Sequence, residues 1–239
     1  MAHSIPEVPP RIRWQKRART LVKRALIPPT LVLRRNRISR YLSSESEPKL
    51  HVACGSNLLS GWLNTDLAVL NRGKTVYLDA RKDLPFANDT FCYIFNEHFI
   101  SCLTLGEGVH FFAECYRVLR PHGVLRTATS GWPLLVDLFK ADDMLARRYV
   151  EWANKEFLST SWNLPCLTIN NYVYGFNLRF IYDPSCLAWA LSQAGFSEIA
   201  TANIGESGHI ALRGIERHGT VVPDEFNQFE TFVLEATKK

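Results

Sequence analysis

From Lys49 onward the chain alternates short strand-like runs with helix-like runs, and this alternation limits the fold more than any other feature of its 239 residues. Lys49–Cys54, Trp62–Leu67, Lys74–Asp79 and Phe91–Asn96 read as strands. Glu107–Leu119 reads as an amphipathic helix stopped by Pro121 and Gly123, and Val124–Thr129 as the next strand. A long helix is expected from Pro133 to about Leu158, and another over Pro184–Ala194 with Gly195 as its C′ residue. Ser197–Ile204 and Thr231–Ala236 complete the strands. Strands separated by helical segments predict an α/β fold, with a doubly wound, mostly parallel, seven-stranded sheet and helices on both faces.

The segment before Lys49 has a different character. Residues 1–10 are Pro-rich, and Arg11–Leu26 shows a basic helical pattern that Pro28-Pro29 should end. A second basic helix is expected from about Leu31 to Leu42, and Ser43–Pro48 reads as a linker. Two units follow: a basic N-terminal helical arm with its linker over 1–48, and a single domain over 49–239. Between Arg11 and Arg40 stand eleven Lys/Arg and no Asp or Glu, so the +5 net charge belongs to the arm and the remainder is acidic. The arm has three readings. It packs on the acidic body or a second subunit of a homodimer, it makes peripheral contact with the inner membrane surface, or it contacts nucleic acid. The first is preferred, and no nucleic-acid-reading motif accompanies the third.

Composition narrows the class. With 46% hydrophobic and 21% charged residues, the chain is that of a globular protein. No apolar run reaches the roughly 18 residues of a membrane span, and the N-terminus lacks an apolar signal region. Six cysteines without a C-x-x-C pair read as reduced thiols of a cytoplasmic protein.

The strand ends carry the chemistry. The first strand runs into a turn of small residues, Ala53-Cys54-Gly55-Ser56-Asn57, where backbone can approach a ligand closely. Asp66 closes the second strand, where a carboxylate can accept two ribose hydroxyls. Asp79 closes the third and can receive an adenine amine, and Asn96 closes the fourth. Ligands of open α/β sheets bind at these carboxyl ends. Each feature alone has a plain structural reading, as a common turn or a helix cap. Their force is in falling on four successive strands.

The stretches KLHVACGSNLLSGWLNTDL, LDARKDLPFANDTFCYIFNEHF and AECYRVLRPHGVLRTATS resemble the class I S-adenosylmethionine-dependent methyltransferases of the methyltransferase-11-like group, in a small bacterial branch. YDPSCLAWALSQAGF, ESGHIALRGIERHG and TFVLEATKK are similar to the tail of that branch. The resemblance runs from Lys49 to the C-terminus and implies a Rossmann-like fold and S-adenosyl-L-methionine as cofactor. It implies that Ala53, Cys54, Gly55 and Asn57 hold the methionine moiety and that Asp66 takes the ribose. It places Asp79 and Ala80 against adenine, Asn96 and Glu97 near the sulfonium, and His98 by the methyl group or the substrate. The chain departs from the family in two informative places. Ala53 replaces the first glycine of the turn, and Ser101-Cys102 stands where a second Glu-His pair is usual.

A sulfonium methyl is already electrophilic, so alignment contributes most of the barrier reduction, up to about 7–11 kcal/mol. A base contributes about 10²–10⁴ in rate where the acceptor is a hydroxyl. His98 is the first candidate, with a backbone-bonded structural histidine as the alternative. Glu206 and His209 form the second candidate cluster, followed by Glu216 and His218, which read equally well as surface residues. The aromatic stretch Trp162–Tyr182 is a lid over the acceptor or a satellite hydrophobic cluster. His98 and Cys102 share a helical spacing, as do His110 and Glu114, but no four-ligand set appears and no metal is expected. The function this reading predicts is methyl transfer to a small molecule or glycan, at oxygen. A catalytically silent binding or scaffold protein is the alternative. A dinucleotide reductase is disfavoured by the lack of a full G-x-G-x-x-G turn.

Overall fold

The computed structural model describes residues 27–68, 74–140 and 142–239. The expected helix over Arg11–Leu26 lies outside the described residues. The first helix, α1 (Ile27–Ser44), carries Pro28 and Pro29 in its first turn rather than being preceded by them. Proline is tolerated there because first-turn N–H groups have no helical partner. α1 is tied to the sheet. Ile38 is buried in the main core, Arg37 donates to the Thr75 carbonyl at 3.3 Å, and Tyr41 Oη accepts the Lys49 N–H at 2.9 Å.

Strands β1 (Lys49–Val52), β2 (Leu63–Asp66), β3 (Val76–Tyr77), β4 (Phe91–Glu97), β5 (Leu119–Ser130), β6 (Glu198–Ala202) and β7 (Thr231–Thr237) form one seven-stranded sheet in the order β3-β2-β1-β4-β5-β7-β6. The first five run parallel, and β7 runs antiparallel to both β5 and β6. The chain reverses direction across the sheet between β1 and β4, so the crevice opens past Val52 and Glu97.

The remaining helices are α2 (Leu105–Val118), α3 (Trp132–Lys140), α4 (Met144–Leu158), α5 (Pro165–Asn170), α6 (Pro184–Gln193) and α7 (Asp224–Glu230). Thr104 and Glu107 form a capping box at the start of α2. α2 ends at Val118, and β5 begins ahead of Pro121. The strand bulges there, Leu119 pairing Phe91 and Val124 pairing Tyr93, which leaves Pro121 outside the ladder. The helix expected from Pro133 to Leu158 is two helices. Asp143 accepts the Ala146 N–H at 2.6 Å and so starts α4 anew.

Three cores result. α1, α2 and α6 bury one face of the sheet, with Phe111, Phe112, Leu187 and Leu191 against Leu50, Ile94 and Leu125. On the other face, Leu59, Trp62, Leu212 and Ile215 from the connecting segments cover Phe95, Val124 and Ala128. A third core joins α3, α4 and α7 through Leu138, Tyr149, Ala153 and Phe226. Two of the sequence signatures meet at the first core. Glu114 accepts the Leu84 N–H at 2.6 Å, and Arg117 donates to the Leu84 and Phe86 carbonyls at 3.0 and 2.8 Å. Leu-Pro-Phe and Glu-Cys-Tyr-Arg-Val-Leu are therefore one structural clasp between the loop before β4 and α2.

Candidate active site

The turn after β1 is built on two left-handed residues, Ala53 at φ +56° and Gly55 at φ +54°. Its shape is held by one carboxylate. Asp66 Oδ2 accepts the Gly55 N–H at 2.9 Å and Oδ1 accepts the Ala68 N–H at 2.6 Å. Open space lies beside the Gly55 Cα. Asn57 closes the turn through its N–H on the Cys54 carbonyl at 2.8 Å. Cys54 is buried beneath it, its thiol pushed up to about 11 by burial and by the Asp66 charge.

A cavity of about 280 Å³ opens on this turn, lined by Ala53, Asp66, Asp79 and Ala80 together with Phe99 and Cys102. The structure thus brings four predicted cofactor residues together. Asp79 carries a partner: Arg81 holds it through two contacts of 2.8 Å, which keeps its carboxyl below the usual range. Asn96 and Glu97 do not line this cavity. Asn96 is fully buried within the sheet, donating to Thr127 Oγ1 at 2.9 Å while its Oδ1 has no partner among the described residues. Glu97 accepts the backbone N–H groups of Arg217 and His218 at 3.0 and 2.9 Å, so it clamps the segment after β6 against the end of β4. Burial raises its pKa.

His98 follows at φ +47°, with both ring nitrogens engaged. Nδ1 lies 3.4 Å from Ser130 Oγ and Nε2 3.2 Å from Thr231 Oγ1. The ring lies against His218, tilted by 39°, with centroids 3.9 Å apart. Burial, then the neighbouring His218, lower its pKa to about 3. A second cavity of about 310 Å³ lies here. His98, Ser130, His218 and Glu230 form its polar end, and Trp152, Phe157, Tyr172 and Phe176 its aromatic walls. Cys102 lines this cavity and the first, so the two adjoin. Among the described residues, His98, His218 and Glu230 also place three ligand-type atoms within 4.8 Å of one another.

Glu206 and His209 line neither cavity. Glu206 accepts from Asn203 Nδ2 at 2.8 Å, and His209 stands edge-on to Tyr93. Glu216 is buried and bonded to Arg126 at 2.5 Å. The lid stretch contributes only in part, through Tyr172, Phe176 and Leu178. Tyr149, Trp152, Ser130 and Glu230 were missed by sequence reasoning. Glu230 alone left a local signal, an acid four residues after Phe226 and so on the apolar face of α7.

No family model and no curated protein matches the chain. Solved structures do. A SAM-dependent methyltransferase from Archaeoglobus fulgidus is 14% identical with a TM-score of 0.50, over 92% of this chain and 94% of that one. A possible histamine N-methyltransferase from Thermotoga maritima is 15% identical with a TM-score of 0.44, over 83% and 88%. Phosphoethanolamine N-methyltransferase 2 from Haemonchus contortus is 14% identical with a TM-score of 0.46, over 80% of this chain and 48% of that one, so the chain spans about half its length. Among the described residues no helix is long and apolar enough to cross a membrane. The sheet order and the Archaeoglobus likeness together give the chain the Rossmann-like fold of the class I methyltransferases.

Proposed function

We propose that the chain is an S-adenosylmethionine-dependent methyltransferase that acts on a small molecule at oxygen. The observation that carries this reading is the shared wall at Cys102, which sets a turn-and-carboxylate cavity against a second, aromatic one. The first cavity fits the cofactor in kind. Asp66 has lone pairs left for ribose hydroxyls after its two backbone contacts. Leu78, Ala80 and Leu103 offer an apolar slot for a purine, and the open space at Gly55 leaves room beside the backbone for the methionine end. The bound cofactor supplies an electrophilic methyl group. The chain's own residues orient the acceptor and keep water out.

Calorimetric titration of the purified chain with S-adenosylmethionine, and with NAD as a control, tests the reading. Binding of the first and not the second is expected, lost in Asp66→Ala. A catalytically silent binding protein is the second reading, favoured by the Asp79–Arg81 pair and by Ser101-Cys102 in place of a second Glu-His. Cofactor binding without turnover on any hydroxyl acceptor selects it. For Arg11–Arg40, packing on the body is supported by α1, whose Ile38 and Arg37 engage the domain. Loss of liposome binding on deleting residues 1–44 would instead support membrane contact.

A further inference from the structure

We infer that His218, held by Glu230, is the base that takes the proton of an aromatic hydroxyl seated in the second cavity, so that the acceptor is a flat phenol-like molecule rather than a sugar. This rests on the methyl-transfer reading for the transfer step.

His218 is fixed at both ends. Its backbone N–H is held by Glu97 at 2.9 Å, and its Nε2 lies 2.6 Å from Glu230 Oε1. The other oxygen of Glu230 accepts the Tyr149 hydroxyl. A carboxylate can only accept, so in the neutral ring Nε2 carries the hydrogen and Nδ1 carries the lone pair. That Nδ1 has no hydrogen-bond partner among the described residues. His98 differs. Thr231 Oγ1 lies 3.2 Å from Asn227 Oδ1, which only accepts, so the Thr231 hydroxyl hydrogen goes there and His98 Nε2–H donates to Thr231. His98 Nδ1 then accepts from Ser130, whose oxygen lies 2.7 Å from the Tyr172 hydroxyl. Both nitrogens of His98 are spoken for, and its ring lies against His218.

The walls select the acceptor. Trp152, Phe157, Phe176, Leu178, Val221 and Val222 make the apolar part of the lining, and His98, Ser130, His218 and Glu230 with the Tyr172 hydroxyl are its hydrogen-bonded polar part. A sugar would bury several hydroxyls against these walls, each costing about 1–3 kcal/mol unpaired. A planar ring satisfies aromatic walls, and one hydroxyl satisfies the polar end. Imidazole is also a competent base toward a phenol, whose pKa lies near 10. In the step, the phenol proton passes to His218 Nδ1 and an oxygen lone pair forms the bond to the methyl carbon. The carbon–sulfur bond breaks with its electron pair going to sulfur, giving a methyl ether, a thioether and an imidazolium facing Glu230.

The full chain is titrated with 4-methylumbelliferone, whose phenol and phenolate absorb at different wavelengths. Wild type should bind it with its phenol pKa lowered by at least one unit. His218→Asn and Glu230→Gln should bind it with that shift gone. With S-adenosylmethionine added, kcat should fall about 100-fold in both variants while KM changes little. Methyl glucoside should neither compete nor be methylated. Failure of the dye to bind, an equal shift in His218→Asn, or displacement by methyl glucoside overturns the inference. So does turnover that chelation abolishes and zinc restores, which would make His98, His218 and Glu230 metal ligands. Calorimetry with S-adenosylmethionine on the same samples separates the two proposals: no heat there, with the dye shift intact, defeats the methyl-transfer reading alone.

Discussion

Glu230 Oε1 lies 2.6 Å from His218 Nε2, and this contact joins the last residue of α7 to the segment that Glu97 clamps at the end of β4. Sheet, connecting segment and helical layer therefore meet at one polar point beneath an aromatic cavity. The stability of that meeting depends on groups that can be titrated, replaced or relieved one at a time.

Acid should destabilise the chain early. Burial lowers His98 to about 3 and His51 to about 4, against an unfolded value near 6.5. Between about pH 6.5 and 4 the unfolded chain binds more protons than the folded one, so stability falls as pH falls. The slope approaches about 1.4 kcal/mol per pH unit for each histidine. Glu97, raised by burial, acts in the opposite sense, so the histidine contribution is read as the difference in urea unfolding between wild type and variant across this range. His51→Gln should flatten the slope by about half, and an unchanged slope would refute the assignment.

Arg126 should be the costliest buried charge to remove. It is fully buried, bonded to Glu216 at 2.5 Å and Glu235 at 2.6 Å, and donates to the Asn203 and Glu206 carbonyls at 2.9 and 2.8 Å. Arg126→Met leaves two carboxylates without their cation, a loss of about 3–5 kcal/mol. Chemical denaturation measures it, and a loss below about 1 kcal/mol would mean the pocket readily rehydrates.

Tyr182→Phe should stabilise. The Tyr182 hydroxyl is buried without a partner among the described residues, and a Cβ built on Gly108 would lie 2.4 Å from it. Removing it recovers about 1 kcal/mol. Gly108→Ala should be strongly destabilising alone and markedly less so in the Tyr182→Phe background, a coupling that a double-mutant cycle reads directly. Additive effects would place the strain elsewhere.

Ala53 and Gly55 offer mirror-image substitutions at left-handed positions. Ala53→Gly relieves about 1–2 kcal/mol of strain and loses part of that to unfolded-state entropy, for a net gain of about 0.5 kcal/mol. Gly55→Ala meets open space, so its loss of about 1 kcal/mol is purely conformational. Thermal melts of both variants check the signs.

Strand and helix periodicity made the sheet legible, because alternation and amphipathic spacing are local properties. The seven strands fall where patterning places them, β3 and β6 shorter and β5 longer than expected. The break before α4 was harder, since a helical pattern continues through it and only the Asp143 cap interrupts it. The turn at Ala53–Asn57 and the aspartates at Asp66 and Asp79 were legible because small residues and strand-final acids leave marks in sequence. Arg81 as the partner of Asp79 leaves none, because a surface Arg two residues on is ordinary.

By itself the sequence determined the α/β layering, the strand-end turn and the carboxylate beside it, all products of short-range pattern. Only the tertiary structure decided which histidine is free. His98 and His218 are equivalent in composition, and 120 residues apart they carry no information about each other. Packing brings their rings to 3.9 Å, gives the hydroxyls of Ser130 and Thr231 to one and the carboxylate of Glu230 to the other, and leaves His218 Nδ1 without a partner among the described residues. Hydrogen-bond partners at such separations are set by the register of the sheet and the docking of α7, and those are properties of the folded chain.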